Sequence, residues 1–132
     1  MVSPPLISVV DDNDAVRESL KGLIRSVGFA VEAFPSAEKF LSSDQVDDTQ
    51  CLILDVRMPG MSGPELQRRL VRSNRDIPII FITAHGNEAA RSQALRDGAA
   101  DYLFKPFSEQ ALLKAINAAL GFEVSRKPNR PG

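Results

Sequence analysis

A chain of 132 residues matches the usual size of one domain and is too short for two complete cores. With 43% hydrophobic and 25% charged residues it can bury a real core, while sixteen basic against seventeen acidic side chains, a formal charge of -1, exclude the dense positive field of a nucleic-acid binder. No apolar run approaches the ~18 residues of a membrane span, no signal segment follows Met1, and the single cysteine permits no disulfide within the chain, so a reducing cytoplasm is the expected setting.

The first apolar run, residues 6–10, reads as a strand and is followed at 14–27 by a helical pattern in which Val16, Leu20, Leu23, Ile24 and Val27 fall at helical spacing. Gly28 then ends that helix. A second strand over 29–34 carries the charge of Glu32 and suits a sheet edge; a short helix over 36–42 follows. The third strand, 51–54, begins with Cys51, read as a small buried thiol. Ser62-Gly63-Pro64-Glu65 has the form of a capping box with proline in the first turn and opens a helix through Leu66, Leu70 and Val71. Residues 77–82 form the fourth strand. The helix over 87–97 offers mostly alanines and Leu95 as its apolar face and should be the loosest. A fifth strand, 102–104, precedes a helix that opens at Ser108 and carries Leu112, Leu113, Ile116 and Leu120. Residues 1–122 form the expected domain, and the polar, proline-containing stretch 123–132 reads as a flexible tail or linker.

Five alternating strand and helix units predict a doubly wound α/β fold, a parallel sheet covered on both faces, because right-handed crossovers place a helix between successive parallel strands. Ligands of such sheets bind beyond the carboxyl ends of the strands. At those ends lie Asp11 and Asp12, Asp55, Thr83 and Lys105. Three carboxylates brought together repel one another unless a hard divalent cation joins them, so Mg²⁺ is the implied occupant. An aspartate is ionised at neutral pH and can attack phosphorus without a general base, leaving positioning and charge neutralisation as the catalytic task. Taken singly, Asp55 reads as a capping or solvated residue, Thr83 as a strand-end residue and Lys105 as a solvated charge; Asp11 and Asp12 read as helix caps, although Asn13 or Asp14 could cap alone.

These residues give the chain its resemblance to the receiver domains of two-component response regulators: Val9-Val10-Asp11-Asp12, Leu54-Asp55 through Ser62-Gly63, Ile82-Thr83-Ala84 and Lys105-Pro106-Phe107. The resemblance implies a flavodoxin-like sheet in the order 2-1-3-4-5 with five helices. It also implies Asp55 as the phosphoacceptor for a sensor histidine kinase. Asp12, Asp55 and the Arg57 carbonyl would touch Mg²⁺, with Asp11 acting partly through water. Thr83 and Lys105 would bind phosphoryl oxygens, Tyr102 would swing inward with Thr83, and the Lys105-Pro106 bond would be cis. Such a protein is not a conventional enzyme, although it assists its own phosphorylation and dephosphorylation. Arg57 and His85, two positions beyond Asp55 and Thr83, are candidates for tuning phosphate lifetime, against the plainer reading of two solvated loop residues. The expected response is a remodelled surface over residues 87–119, able to mediate homodimerisation.

The wording of Arg57 to Gly63 and of Thr83-Ala84-His85-Gly86 is similar to receivers that precede LuxR-type helix-turn-helix output domains, which implies transcriptional regulation. With no output domain in the chain, it is expected to be either the receiver part of a longer regulator or a stand-alone receiver that acts by docking or phosphorelay. Three other readings fit less well. A haloacid-dehalogenase-type phosphatase built on Asp12-Asn13-Asp14 would need further acids on a strand after the lysine and would leave Asp55 idle. A degenerate interaction module would lack part of the acidic set. A flavodoxin-like cofactor binder would not place two acids where a phosphate must sit.

Overall fold

The computed structural model describes residues 3–121, and the expected tail over 123–132 lies outside the described residues. The chain alternates β1 (Leu6–Val10), α1 (Asp14–Ser26), β2 (Ala30–Phe34), α2 (Ala37–Leu41), β3 (Thr49–Asp55), α3 (Gly63–Arg72), β4 (Ile79–Thr83), α4 (Glu88–Arg96), β5 (Asp101–Phe104) and α5 (Glu109–Ala119). All strand pairs are parallel, as expected from the alternating pattern, and the sheet order is β2-β1-β3-β4-β5, as the resemblance implied. None of the helices is long and apolar enough to cross a membrane among the described residues.

Period-two alternation on the central strands supplies two cores. Leu52 and Leu54 of β3, with Ile79 and Phe81 of β4, face Phe40, Leu66 and Leu70 of α2 and α3. Cys51, Ile53, Ile80 and Ile82 face Leu20 and Ile24 of α1 and Leu112 and Ile116 of α5. Strands sandwiched in this way must be apolar on both sides, which is why their sequences are continuous rather than alternating. Each fully buried Leu, Ile or Phe contributes ~1.5–3 kcal/mol.

Local signals set the boundaries. Asn13 caps α1, its side chain accepting from the Val16 N–H at 3.0 Å; Ser36, Ser62, Asn87 and Ser108 cap the other helices in the same manner. Gly28 ends the α1 turn at φ +100°, a conformation that disfavours other residues. Among the exposed apolar residues, Val71 at 63% and Val27 at 46% belong to helical patterns read as core-facing. Leu70 and Val71 stand about 100° apart around the helix, and Leu70 takes the inward direction. Strand β3 starts two residues earlier than its apolar run, because the Thr49 hydroxyl is satisfied by Ser8 Oγ at 2.7 Å within the sheet.

Helix α4 has no buried residue, in agreement with its weak apolar face. Its amides should therefore exchange with solvent faster than those of α1 and α5 in native-state hydrogen exchange; equal protection in all three would contradict this.

Candidate phosphoacceptor site

Parallel pairing brings the carboxyl ends of β1, β3, β4 and β5 to one edge, and the reactive side chains arrive there with them. Carboxylate oxygens of Asp11, Asp12 and Asp55 lie within 4.8 Å of one another, Asp11 and Asp55 buried and Asp12 exposed. Because Asn13 already caps α1, neither Asp11 nor Asp12 is needed for that purpose. Asp11 is fully enclosed and held on three sides. The Asn13 N–H donates to its Oδ1 (2.8 Å), the Arg17 guanidinium donates to its backbone carbonyl (2.7 Å), and Lys105 Nζ donates to its Oδ2 (3.0 Å). Arg17 also pairs with the exposed Asp14.

Lys105 stands 3.9 Å from Asp55 Oδ1, so one ammonium serves two buried carboxylates. That is insufficient for Asp55. Burial first, then the Asp11 charge, push its carboxyl up to about 6, against the pull of Lys105 and of a hydrogen bond from the Arg57 backbone; Asp12 adds to the repulsion. An added hard cation among the three carboxylates would relieve this repulsion, and the all-oxygen donor set suits a Mg²⁺-like ion. By contrast, Cys51 has no part in the chemistry, since burial raises its thiol to about 12.

Thr83 ends β4 almost fully buried, and its Oγ1 accepts from the His85 N–H at 3.1 Å. Tyr102 lies inward at 4% exposure, edge-on to Phe104 with centroids 5.5 Å apart. Burial raises its pKa, opposed by the Arg57 charge, which places Arg57 in electrostatic reach of the ring's hydroxyl. Arg57 and His85 are exposed in the loops after β3 and β4. The Lys105-Pro106 bond is cis, as the resemblance implied.

Two supports were not anticipated from the sequence. Glu38 of α2 accepts from the Met61 N–H at 2.9 Å and braces the loop after Asp55; that hydrogen bond and one from its own backbone hold its carboxyl below the usual range. Gly63 begins α3 so close to the site that a β-carbon there would lie 2.5 Å from the Asp55 carbonyl oxygen. Spacing alone could not reveal either.

The raised Asp55 pKa has a consequence for stability. Without metal, the folded state holds its proton more tightly than the unfolded chain, whose ordinary value is 3.8, so stability falls as pH rises from about 4 to about 6 and stays lower above it. The metal-free Asp55→Asn variant should be more stable than wild type at pH 7 by roughly 1–2 kcal/mol, after discounting for solvent in the groove, and the gap should close by pH 4. Thermal melts at both pH values check this; a gap that persists at pH 4 would contradict it.

Comparison with known proteins agrees with this geometry. The family model described as "Response regulator receiver domain" matches residues 7–117. The response regulator protein TodT of Pseudomonas putida is 46% identical over 126 residues, covering 96% of this chain and 56% of TodT. The transcriptional regulatory protein FixJ of Azorhizobium caulinodans is 44% identical over 115 residues, covering 87% of this chain and 54% of FixJ. The solved structure of response regulator StyR superposes with a TM-score of 0.83 at 50% identity, covering 90% of this chain and 60% of that one. The chain thus spans about half the length of the curated relatives it matches. From the family model that matches most of its length and from these relatives, the chain belongs to the response regulator receiver domain family of two-component systems.

Proposed function

We propose that Asp55 is the phosphoacceptor of this receiver and that a sensor histidine kinase is its donor. The observation that carries the reading is the cluster of Asp11, Asp12 and Asp55 carboxylates at the carboxyl edge of the sheet, with the Lys105 ammonium 3.0 Å from Asp11 and 3.9 Å from Asp55. An Asp55 carboxylate oxygen attacks the phosphorus of a phosphohistidine; the O–P bond forms, the P–N bond breaks, and the imidazole leaves with the electron pair. Asp12, Asp55 and the Arg57 carbonyl would hold Mg²⁺, with Asp11 in support through water, and when bound it would supply positive charge against the phosphoryl oxygens. Lys105 contributes a second positive charge, and the Thr83 hydroxyl donates to a phosphoryl oxygen after leaving the His85 N–H. The chain assists its own phosphorylation and dephosphorylation and is not otherwise an enzyme.

The output runs through the α4, β5 and α5 surface. Thr83 and Tyr102 share one side of the sheet, Phe81 pairs with Tyr102 in register, and α4 above them is loosely packed. Leu95 and Phe104 are exposed on that surface and suit a dimer partner or an output domain. The naming of FixJ as a transcriptional regulator, matched over about half its length, favours control of an output domain of the LuxR type over stand-alone docking. A cytoplasmic location fits this pathway.

Intact-mass analysis after incubation with acetyl phosphate tests the reading. Wild type with Mg²⁺ should gain one phosphoryl mass, and neither the Asp55→Asn variant nor wild type with EDTA should. A gain in the variant, or none in wild type, would overturn it. Arg57 and His85, exposed two positions beyond Asp55 and Thr83, would govern access of the attacking water. Arg57→Ala and His85→Ala should each change the rate of phosphate loss, measured by the decay of that mass; unchanged rates would remove them from this role.

A further inference from the structure

Four glycines among the described residues have positive φ, Gly28, Gly60, Gly98 and Gly121, and their backbone explains the residue type. Gly86 is different. Its φ is not positive, so the conformation does not call for glycine, yet the space around its Cα is closed. A β-carbon there would lie 2.7 Å from Thr83 Cγ2, 2.7 Å from the Tyr102 hydroxyl and 2.8 Å from Phe104 Cε1. All three distances are well inside van der Waals contact, and all three side chains lie on the same side of the sheet, where β4 and β5 end.

We propose that Gly86 is the positioning residue for Tyr102: the volume left by its absent side chain admits the Tyr102 hydroxyl beside Thr83, and the residue at position 86 therefore sets the balance between inward and outward Tyr102. With Asp55 unphosphorylated, Thr83 is buried on a short side chain at the end of its strand and hydrogen-bonded to the loop, so it has less room to retreat than Tyr102. Tyr102 has its hydroxyl at the far end of a long side chain, and its ring lines a cavity of about 210 Å³ between α3 and α4 with Gln67, Ala90 and Ala94. Tyr102 is thus the group that gives way when position 86 gains an atom. Because Thr83 and Tyr102 meet over the same Cα, displacement of Thr83 toward a phosphoryl group on Asp55 loosens or tightens the seat of Tyr102 at this one point. That link rests on the phosphoacceptor reading above, whereas the steric claim does not.

Tyr102 is the sole tyrosine and the chain has no tryptophan, so its fluorescence reports on this ring alone. Acrylamide quenching would be measured on the full chain, wild type and Gly86→Ala, each with and without Mg²⁺ and beryllofluoride, after circular dichroism shows native helix content. Wild type should be well shielded. Gly86→Ala should be quenched several-fold more readily and should stay so when beryllofluoride is added. Quenching of Gly86→Ala equal to wild type would overturn the proposal, and so would full recovery of shielding with beryllofluoride. If Gly86→Ala does not fold, nuclear Overhauser contacts between the Gly86 Hα atoms and the Tyr102 ring in wild type decide instead: their presence supports the seat and their absence overturns it. Failure of wild type to gain a phosphoryl mass would sink the phosphoacceptor reading while leaving the metal-free quenching comparison intact, so the two failures are distinguishable.

Discussion

The Lys105 ammonium, bridging Asp11 at 3.0 Å and Asp55 at 3.9 Å, is the contact on which the rest of the site depends. It joins the last strand to the first and third across the carboxyl edge of the sheet. One positive charge against three carboxylates leaves the edge under electrostatic tension, and that tension appears as an Asp55 carboxyl raised to about 6. A fold optimised for stability alone would not keep a buried aspartate in that position. The cost is offset by the two large clusters of buried apolar side chains on either side of the sheet.

The same edge explains why the surroundings are so closely braced. Arg17 and Asn13 fix Asp11 from α1, Glu38 fixes the loop after Asp55 from α2, and Gly63 lets α3 begin against the Asp55 backbone. A phosphoryl-transfer site that works by positioning needs its nucleophile held from several elements at once. On the opposite side of the reacting atoms the bracing is weaker. Helix α4 has no fully buried residue, and Tyr102 and Phe104 meet over the small opening at Gly86. On the proposed reading, rigid support on the α1, α2 and α3 side and looseness on the α4 side would let a local change of charge move one surface and spare the others.

Much of this was legible in the sequence for identifiable reasons. Strand residues buried on both faces form unbroken apolar runs, so β1, β3 and β4 announced themselves, and the reactive residues at their ends could be placed on one edge from topology alone. Helix starts were equally readable, since Asn13, Ser62 and Ser108 carry their own capping chemistry. Other features depended on neighbours distant in sequence. Glu38 reads as an ordinary helix-surface acid until Met61 is folded against it, and Gly86 reads as a loop glycine until three side chains close around it. Val71 fits the apolar pattern of α3 by proximity to Leu70, yet the rotation between adjacent helical residues turns it to solvent. The polar start of β3 at Thr49 was hidden because a hydrogen bond to Ser8, rather than apolar burial, secures it.

On the proposed reading a divalent cation completes the carboxylate edge, and Asp55 can help bind it only as a carboxylate. Titration calorimetry of Mg²⁺ into the protein at pH 8 and at pH 5, in two buffers of different ionisation enthalpy, addresses it most directly. With Asp55 titrating at about 6, the account predicts several-fold weaker binding at pH 5 and a buffer-dependent heat from the proton that Mg²⁺ displaces. Equal affinity at both pH values with no buffer dependence, or no binding at either, would contradict it.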